Sequence, residues 1–227
     1  MTQRFFIGEK LEGREDFSLP KEIQHQLKNV LRSKSGEKII LFDGTGYDFI
    51  SEFDGKGGAK IIERALNRSE PDRKIFLFQS LLKKDKMEWV FGKGAEVGIA
   101  EFFPIISERS IKKDFNKERG EKIIKEAAEQ SGRSILPKIN EILDFKKALK
   151  YVHEARISGV IADINSKKHI FETLKDQAMA LFVGPEGGWA EEEISEAKEY
   201  GFKAVNLGRT MLRAETAAIV GSAFLVS

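Results

Sequence analysis

Cysteine is absent from this 227-residue chain, which excludes disulfides, thiolate metal sites and thiol nucleophiles. Histidine is scarce: only His25, His153 and His169 are present, without HExxH-like spacing. No catalytic zinc site, and no metal of any kind, is therefore expected. No apolar run approaches the length of a membrane span, and no signal-peptide pattern opens the chain. A cytosolic (cytoplasmic) location with no membrane partner is the default expectation. A strong charge imbalance is missing as well. The 38 basic residues stand against 36 acidic ones, a formal net charge of +2, so there is no global basic field, although basic side chains can still gather locally.

What is present is a globular composition, 41% hydrophobic and 10% aromatic, enough for one large or two small domains with a sizeable core. The first part reads as mostly β. Gln3–Ile7 is a short apolar run, and Lys38–Phe42 and Tyr47–Phe53 flank the turn Asp43-Gly44-Thr45-Gly46. Gly55–Gly58 is a second turn, leading into Ala59–Leu66. One helix interrupts these strands, with Ile23, Leu27, Val30 and Leu31 on a single stripe, Ser18 as its cap and Pro20 in its first turn. His25, Lys28 and Arg32 then share another face. Asn67–Arg73 is polar and proline-containing, a linker that separates residues 1–70 from 71–227.

Beyond the linker, β and α patterns alternate. Strands are expected at Ile75–Gln79, Glu101–Ile106, Ser158–Asp163, Met179–Val183 and Lys203–Leu207. Helices are expected at Lys86–Val97, Lys117–Ser131, Phe145–His153, Ala190–Tyr200 and Glu215–Leu225. Such alternation specifies an α/β domain with a largely parallel sheet covered on both faces. Gly92-Lys93-Gly94 falls inside a helical pattern and is no nucleotide loop, and Gly98 ends that helix.

The stretch Leu181–Thr216 is the richest in chemistry. A short strand opens into a glycine turn (Gly184, Pro185, Gly187, Gly188) before a helix, and a second strand opens into the loop Gly208–Glu215 before the last helix. Paired loops of this kind bind ligands at the carboxyl ends of parallel strands. A glycine turn before a helix usually suits phosphate. Here, however, Glu186 lies in the turn and Glu191, Glu192 and Glu193 follow it, with no P-loop lysine. The charge suits a neutral or cationic ligand, such as an adenosine carrying a sulfonium and an amino group. Glu191–Glu193 read as complements to the helix dipole, whereas Glu186, set between glycines, reads as functional.

VGPEGGWAEEEI followed by LGRTMLRAETA resembles the signature pair of the RsmE family of ribosomal RNA methyltransferases, in the SPOUT superfamily. Other blocks match in order: Arg4–Phe6, His25–Arg32, Phe42–Gly46, Lys93–Ile99, Pro104–Ser110 and Glu126–Arg133. The resemblance implies a PUA-like β-barrel that binds RNA (1–70) and a SPOUT domain with a carboxyl-terminal trefoil knot (71–227). It also implies a homodimer with the cofactor pocket beside the interface. The reaction it implies is methyl transfer from S-adenosylmethionine to N3 of a uridine in 16S ribosomal RNA of the small subunit. The chain departs from the family pattern in three places. Ala190 stands where a hydroxyl residue often caps the helix, so that cap must come from elsewhere. Arg209-Thr210 alters the arrangement before the apolar pair, and Gly92 and Gly94 soften a helix.

On this basis Arg213 and Glu186 are the candidate catalytic residues. Arg213 either stabilises a uracil anion or fixes its loop through Glu215 or Glu186. The expected cofactor site comprises Val183, Gly184, Glu186, Gly187, Gly188, Leu207, Gly208, Met211, Leu212, Arg213, Glu215 and Thr216. Within it the glycines bring backbone close to the adenosine, and Leu207, Met211 and Leu212 form apolar walls or simply pack the core. Glu215 and Thr216 cap the last helix or touch the ligand. The candidate RNA contacts are Arg4, His25, Arg32, Lys93, Arg109, Gln130 and Arg133, the last two on one helix face. A noncatalytic RNA-binding or ribosome-assembly factor on the same fold is the competing reading.

Overall fold

The computed structural model describes residues 2–173 and 176–226. The chain divides into two compact units, Met1–Glu70 with Ala128–Leu136, and Pro71–Ala127 with Pro137–Ser227.

In the first unit, strands β1 (Gln3–Phe6), β2 (Asp16–Ser18), β3 (Lys38–Phe42), β4 (Tyr47–Phe53) and β5 (Gly58–Leu66) are ordered β1-β3-β4-β5-β2. The β1–β3 pair is parallel and the others are antiparallel. Alternating residues such as Phe5, Ile39, Leu41, Phe49 and Phe53 enter the core beside Ile23 and Leu27 of the helical segment. Aspartates make both expected turns. Asp43 accepts the Thr45 and Leu11 amides, and Asp54 Oδ1 accepts the amides of Lys56, Gly57 and Gly58 at 2.6–2.9 Å.

The helical segment departs from expectation. Helix α1 covers only Lys21–His25 and continues as a wider π turn over Gln26–Val30, closed by Leu31 N–H to Gln26 O. This winding rotates Val30 outward to 66% exposure, off the apolar stripe. Arg32, at φ +55, lies beyond the helix and is not held on a face with His25 and Lys28. Ser18 ends β2 and caps nothing, and Pro20 occupies the cap position without a side-chain bond.

The stretch expected to be a linker is partly a latch. Asn67 Nδ2 donates to both Asp48 oxygens at 3.1 Å and to Gly132 O at 2.9 Å. Glu70 Oε1 accepts the amides of Ser134 and Ile135, both at 2.8 Å. These bonds place 128–136 in the first unit, where a single break after residue 70 had been expected.

The second unit is α/β, as its alternation specified. Its strands are β6 (Lys74–Ser80), β7 (Glu101–Ile106), the two-residue pieces β8 (Lys138–Ile139) and β9 (Leu143–Asp144), β10 (Ser158–Ala162), β11 (Ala178–Val183) and β12 (Lys203–Val205). Its helices are α2 (Lys84–Val97), α3 (Lys117–Ser131, whose last turn belongs to the first unit), α4 (Phe145–Glu154), α5 (Glu191–Glu199) and α6 (Ala214–Val226). The sheet runs β12-β10-β11-β6-β7-β8, with β9 also on β7, and every pairing is parallel.

Successive side chains go to opposite faces. Ile75, Leu77, Leu181 and Val205 pack with residues of α2, α3 and α6, while Phe78, Phe103, Ile161 and Phe182 pack with α4 and α5. On that second face Phe182, Phe78 and Phe103 stack across three adjacent strands, with ring centroids 4.4 Å apart at each step. Gly94 is explained by packing, since a Cβ there would lie 2.7 Å from Ile99 and Phe102. Gly98 ends α2 at φ +109, as expected.

Candidate active site

Parallel pairing puts the carboxyl ends of β10, β11 and β12 on one edge, and β10 lies between the other two. The three loops leaving that edge enclose a cleft of about 880 Å³. Val183, Gly184, Glu186, Gly187 and Gly188 line it from the loop after β11, and Leu207, Gly208, Met211, Leu212 and Arg213 from the loop after β12. Asp163, Ile164 and Asn165 contribute the third wall after β10. The sequence reading missed that wall, because the order of the strands is not written in any local pattern.

The loop after β11 is braced at several points. Gly188 N–H donates to Pro185 O at 2.9 Å, and Gly188 takes φ +68, which a glycine adopts without strain. Trp189 Nε1 donates to Ala162 O at 3.0 Å, tying this loop to the end of β10. Gly184 leaves room for the indole; a Cβ there would stand 3.2 Å from it. Arg109 Nη1 donates to Gly187 O at 3.1 Å. Arg109, expected as an RNA contact, thus also lines the cleft.

Helix α5 obtains its cap from within. Glu193 Oε2 accepts the Ala190 amide at 3.0 Å and Oε1 accepts the Glu108 amide at 2.9 Å, so Glu193 does more than complement the dipole and is buried at 6% exposure. Glu191 lines the cleft.

Lys86, in the first turn of α2, was not foreseen. Its Nζ lies 3.3 Å from Glu186 Oε1 and 3.4 Å from Glu215 Oε2. Desolvation pulls the ammonium pKa down, but the hydrogen bond and charge of Glu186 and the charge of Glu215 outweigh it, and the net shift is upward. Both carboxylates considered as partners for Arg213 are therefore taken by Lys86. Arg213 itself is exposed on the cleft, and among the described residues no side chain pairs with it. Glu215 enters the site only through Lys86, and Thr216 does not line the cleft. Leu207 also packs against the core, whereas Met211 is 81% exposed.

The candidate RNA contacts differ in how their side chains are held. The Arg4 guanidinium is committed to Asp48, with bonds of 2.9 and 2.7 Å, and to Ser134 Oγ at 2.8 Å. Arg133 is 4% exposed and donates to Glu70 Oε2 at 3.0 and 3.1 Å. Helix α3 ends at Ser131 and Gly132 turns at φ +84, so Arg133 shares no helix face with Gln130, which is exposed. Lys93 pairs with Glu96. His25 and Arg32 remain exposed.

Residues 68–226 match the family model described as RNA methyltransferase domain, the class to which this sheet and cleft correspond. Ribosomal RNA small subunit methyltransferase E of Mesomycoplasma hyopneumoniae is 32% identical over 221 residues, 95% of each chain. The Bacillus subtilis protein of that name is 31% identical, over 96% of this chain and 93% of its own. A crystal structure of ribosomal RNA small subunit methyltransferase E from Neisseria gonorrhoeae bound to S-adenosyl methionine matches with a TM-score of 0.89 at 33% identity, covering 98% of this chain and 96% of that one. The chain belongs to the ribosomal RNA small subunit methyltransferase E family.

Proposed function

We propose that this protein transfers a methyl group from S-adenosylmethionine to N3 of a uridine in 16S ribosomal RNA, acting in the cytoplasm as a homodimer. The observation that carries this reading is the cleft at the ends of β10, β11 and β12, which has a carboxylate in its glycine turn and apolar walls. Its volume of about 880 Å³ lies within the range of small-molecule sites. The acidic turn and missing phosphate-loop lysine suit a ligand whose reacting group is a cation.

When bound, S-adenosylmethionine supplies a methyl group on a sulfonium, and its departure as a neutral thioether needs no acid. The chain must then orient the base and hold the charge that appears when uridine N3 loses its proton. Arg213 is suited to the second task, because it is exposed at the cleft and both acidic neighbours are paired with Lys86. The glycine turn and the β12 loop perform the first by fixing the ligand, and orientation alone contributes up to about 7–11 kcal/mol in well-aligned reactions. Exposed His25 and Arg32 provide RNA affinity away from the chemistry. The apolar groups left uncovered at Ile164, Phe171 and Met211 are suited to a second copy.

Calorimetry with the methylated and demethylated cofactor, followed by mapping of N3-methyluridine in ribosomal RNA from cells lacking the protein, tests the proposal. Binding of both forms and loss of one modified base are expected. Cofactor binding with an unchanged methylation map would favour the noncatalytic assembly factor.

A further inference from the structure

Lys86 gathers two acidic side chains from separate loops onto one ammonium. Glu186 comes from the glycine turn after β11 and Glu215 from the first turn of α6. The lysine is three-quarters enclosed, with a side-chain exposure of 25%, and Glu215 is more enclosed still at 13%. Glu215 Oε2 is buried, and Lys86 Nζ at 3.4 Å is the cation that faces it. Such a triad holds the glycine turn against α6, and its lysine contributes one positive charge to a cleft that Arg109, Asp163, Glu191, Lys198 and Arg213 also line.

The charge matters because the ligand's charge changes during the reaction. S-adenosylmethionine carries one positive charge more than its demethylated product, since the sulfonium becomes a thioether. We infer that Lys86 is a positioning residue that fixes Glu186 and Glu215 and, by partly neutralising them, limits how strongly the cleft prefers the methylated cofactor over the demethylated product. This rests on the cofactor reading above. Without Lys86 the cleft is one unit more negative, and the sulfonium form gains while the thioether form does not. The native lysine therefore keeps the two affinities close enough for product to be exchanged for fresh cofactor.

The test is the ratio of dissociation constants for product and cofactor, measured by calorimetry on the full chain. Lys86→Met and Lys86→Gln should raise that ratio in favour of the cofactor by roughly five- to tenfold at low salt, with the gain shrinking as salt screens it. Lys86→Arg should keep the native ratio. In a Glu186→Gln background Lys86→Met should still raise the ratio, because the cleft again loses one positive charge. A purely structural lysine would weaken both ligands equally in Lys86→Met and Lys86→Gln, and an unchanged ratio in both overturns the inference while leaving the cofactor site intact. If the native protein binds neither ligand, the cofactor reading fails and the inference falls with it.

Discussion

Arg213 and Lys86 are cations on the same cleft, yet only Lys86 is held by carboxylates. An unpaired guanidinium can meet charge that develops on a substrate, and removing such a donor typically costs about 10²–10³ in rate. Arg213→Ala should slow single-turnover methylation by about that factor while affinity for S-adenosylmethionine stays near native. Raising the pH should restore part of the rate, because more uridine is then deprotonated without help. An affinity that drops with the rate would show instead that Arg213 builds the cleft. At this scale the sequence is legible where function is local. The glycine turn and the Leu207–Leu212 loop are contiguous, and ten of the residues expected in the cofactor site line one cleft. It is illegible where a distant partner decides. Arg4 and Arg133 look like solvent-facing RNA contacts until Asp48 and Glu70 are seen to hold them, and Lys86 acquires meaning only from Glu186 and Glu215.

Helices and strands of ordinary length are readable from their periodicity. Strand β7 (Glu101–Ile106) and helix α3 (Lys117–Ser131) have the bounds that their patterns specify. Strands β8 and β9, two residues each, are too short to show alternation, and the π turn breaks the 3.6-residue period from which the stripe through Val30 was read. The cap of α5 is a further example, since Ala190 offers no oxygen and Glu193 reaches back instead. Glu193 serves two backbone amides, on α5 and on the segment after β7. Glu193→Ala should therefore cost about 1–2 kcal/mol, read as a lower urea midpoint with the slope unchanged, and Glu193→Gln should lose less. A midpoint equal to the native one would mean that water replaces the carboxylate at both amides.

Each of the two units has a hydrophobic core of its own, and the first also carries a polar latch. Burial pushes the Asp48 carboxyl up, but the bonds from Arg4, Ser134 and Asn67 and the charge of Arg4 outweigh it and hold the group below its ordinary range. A depressed carboxylate contributes stability above its unfolded pKa, and that contribution is lost as pH falls through the lowered folded value. Asp48→Asn should therefore weaken the protein at pH 7, and the gap to native should narrow below about pH 4. Denaturant titrations at both pH values measure this, and a gap of constant size would remove Asp48 ionisation from the account. The division into units was only partly legible, because nothing in the EAAEQSGR segment announces that its end returns to residues near Asn67. The sheet order has a consequence in time as well. A ribosome delivers β6 long before β11, the strand that pairs with it along Lys74–Gln79, and the first unit lacks 128–136 until α3 has been made. The second unit cannot close in order of synthesis, because β6 waits for β11. The nascent chain must keep β6, with its run of buried apolar residues, unpaired on one side until the segment that forms the cleft has emerged.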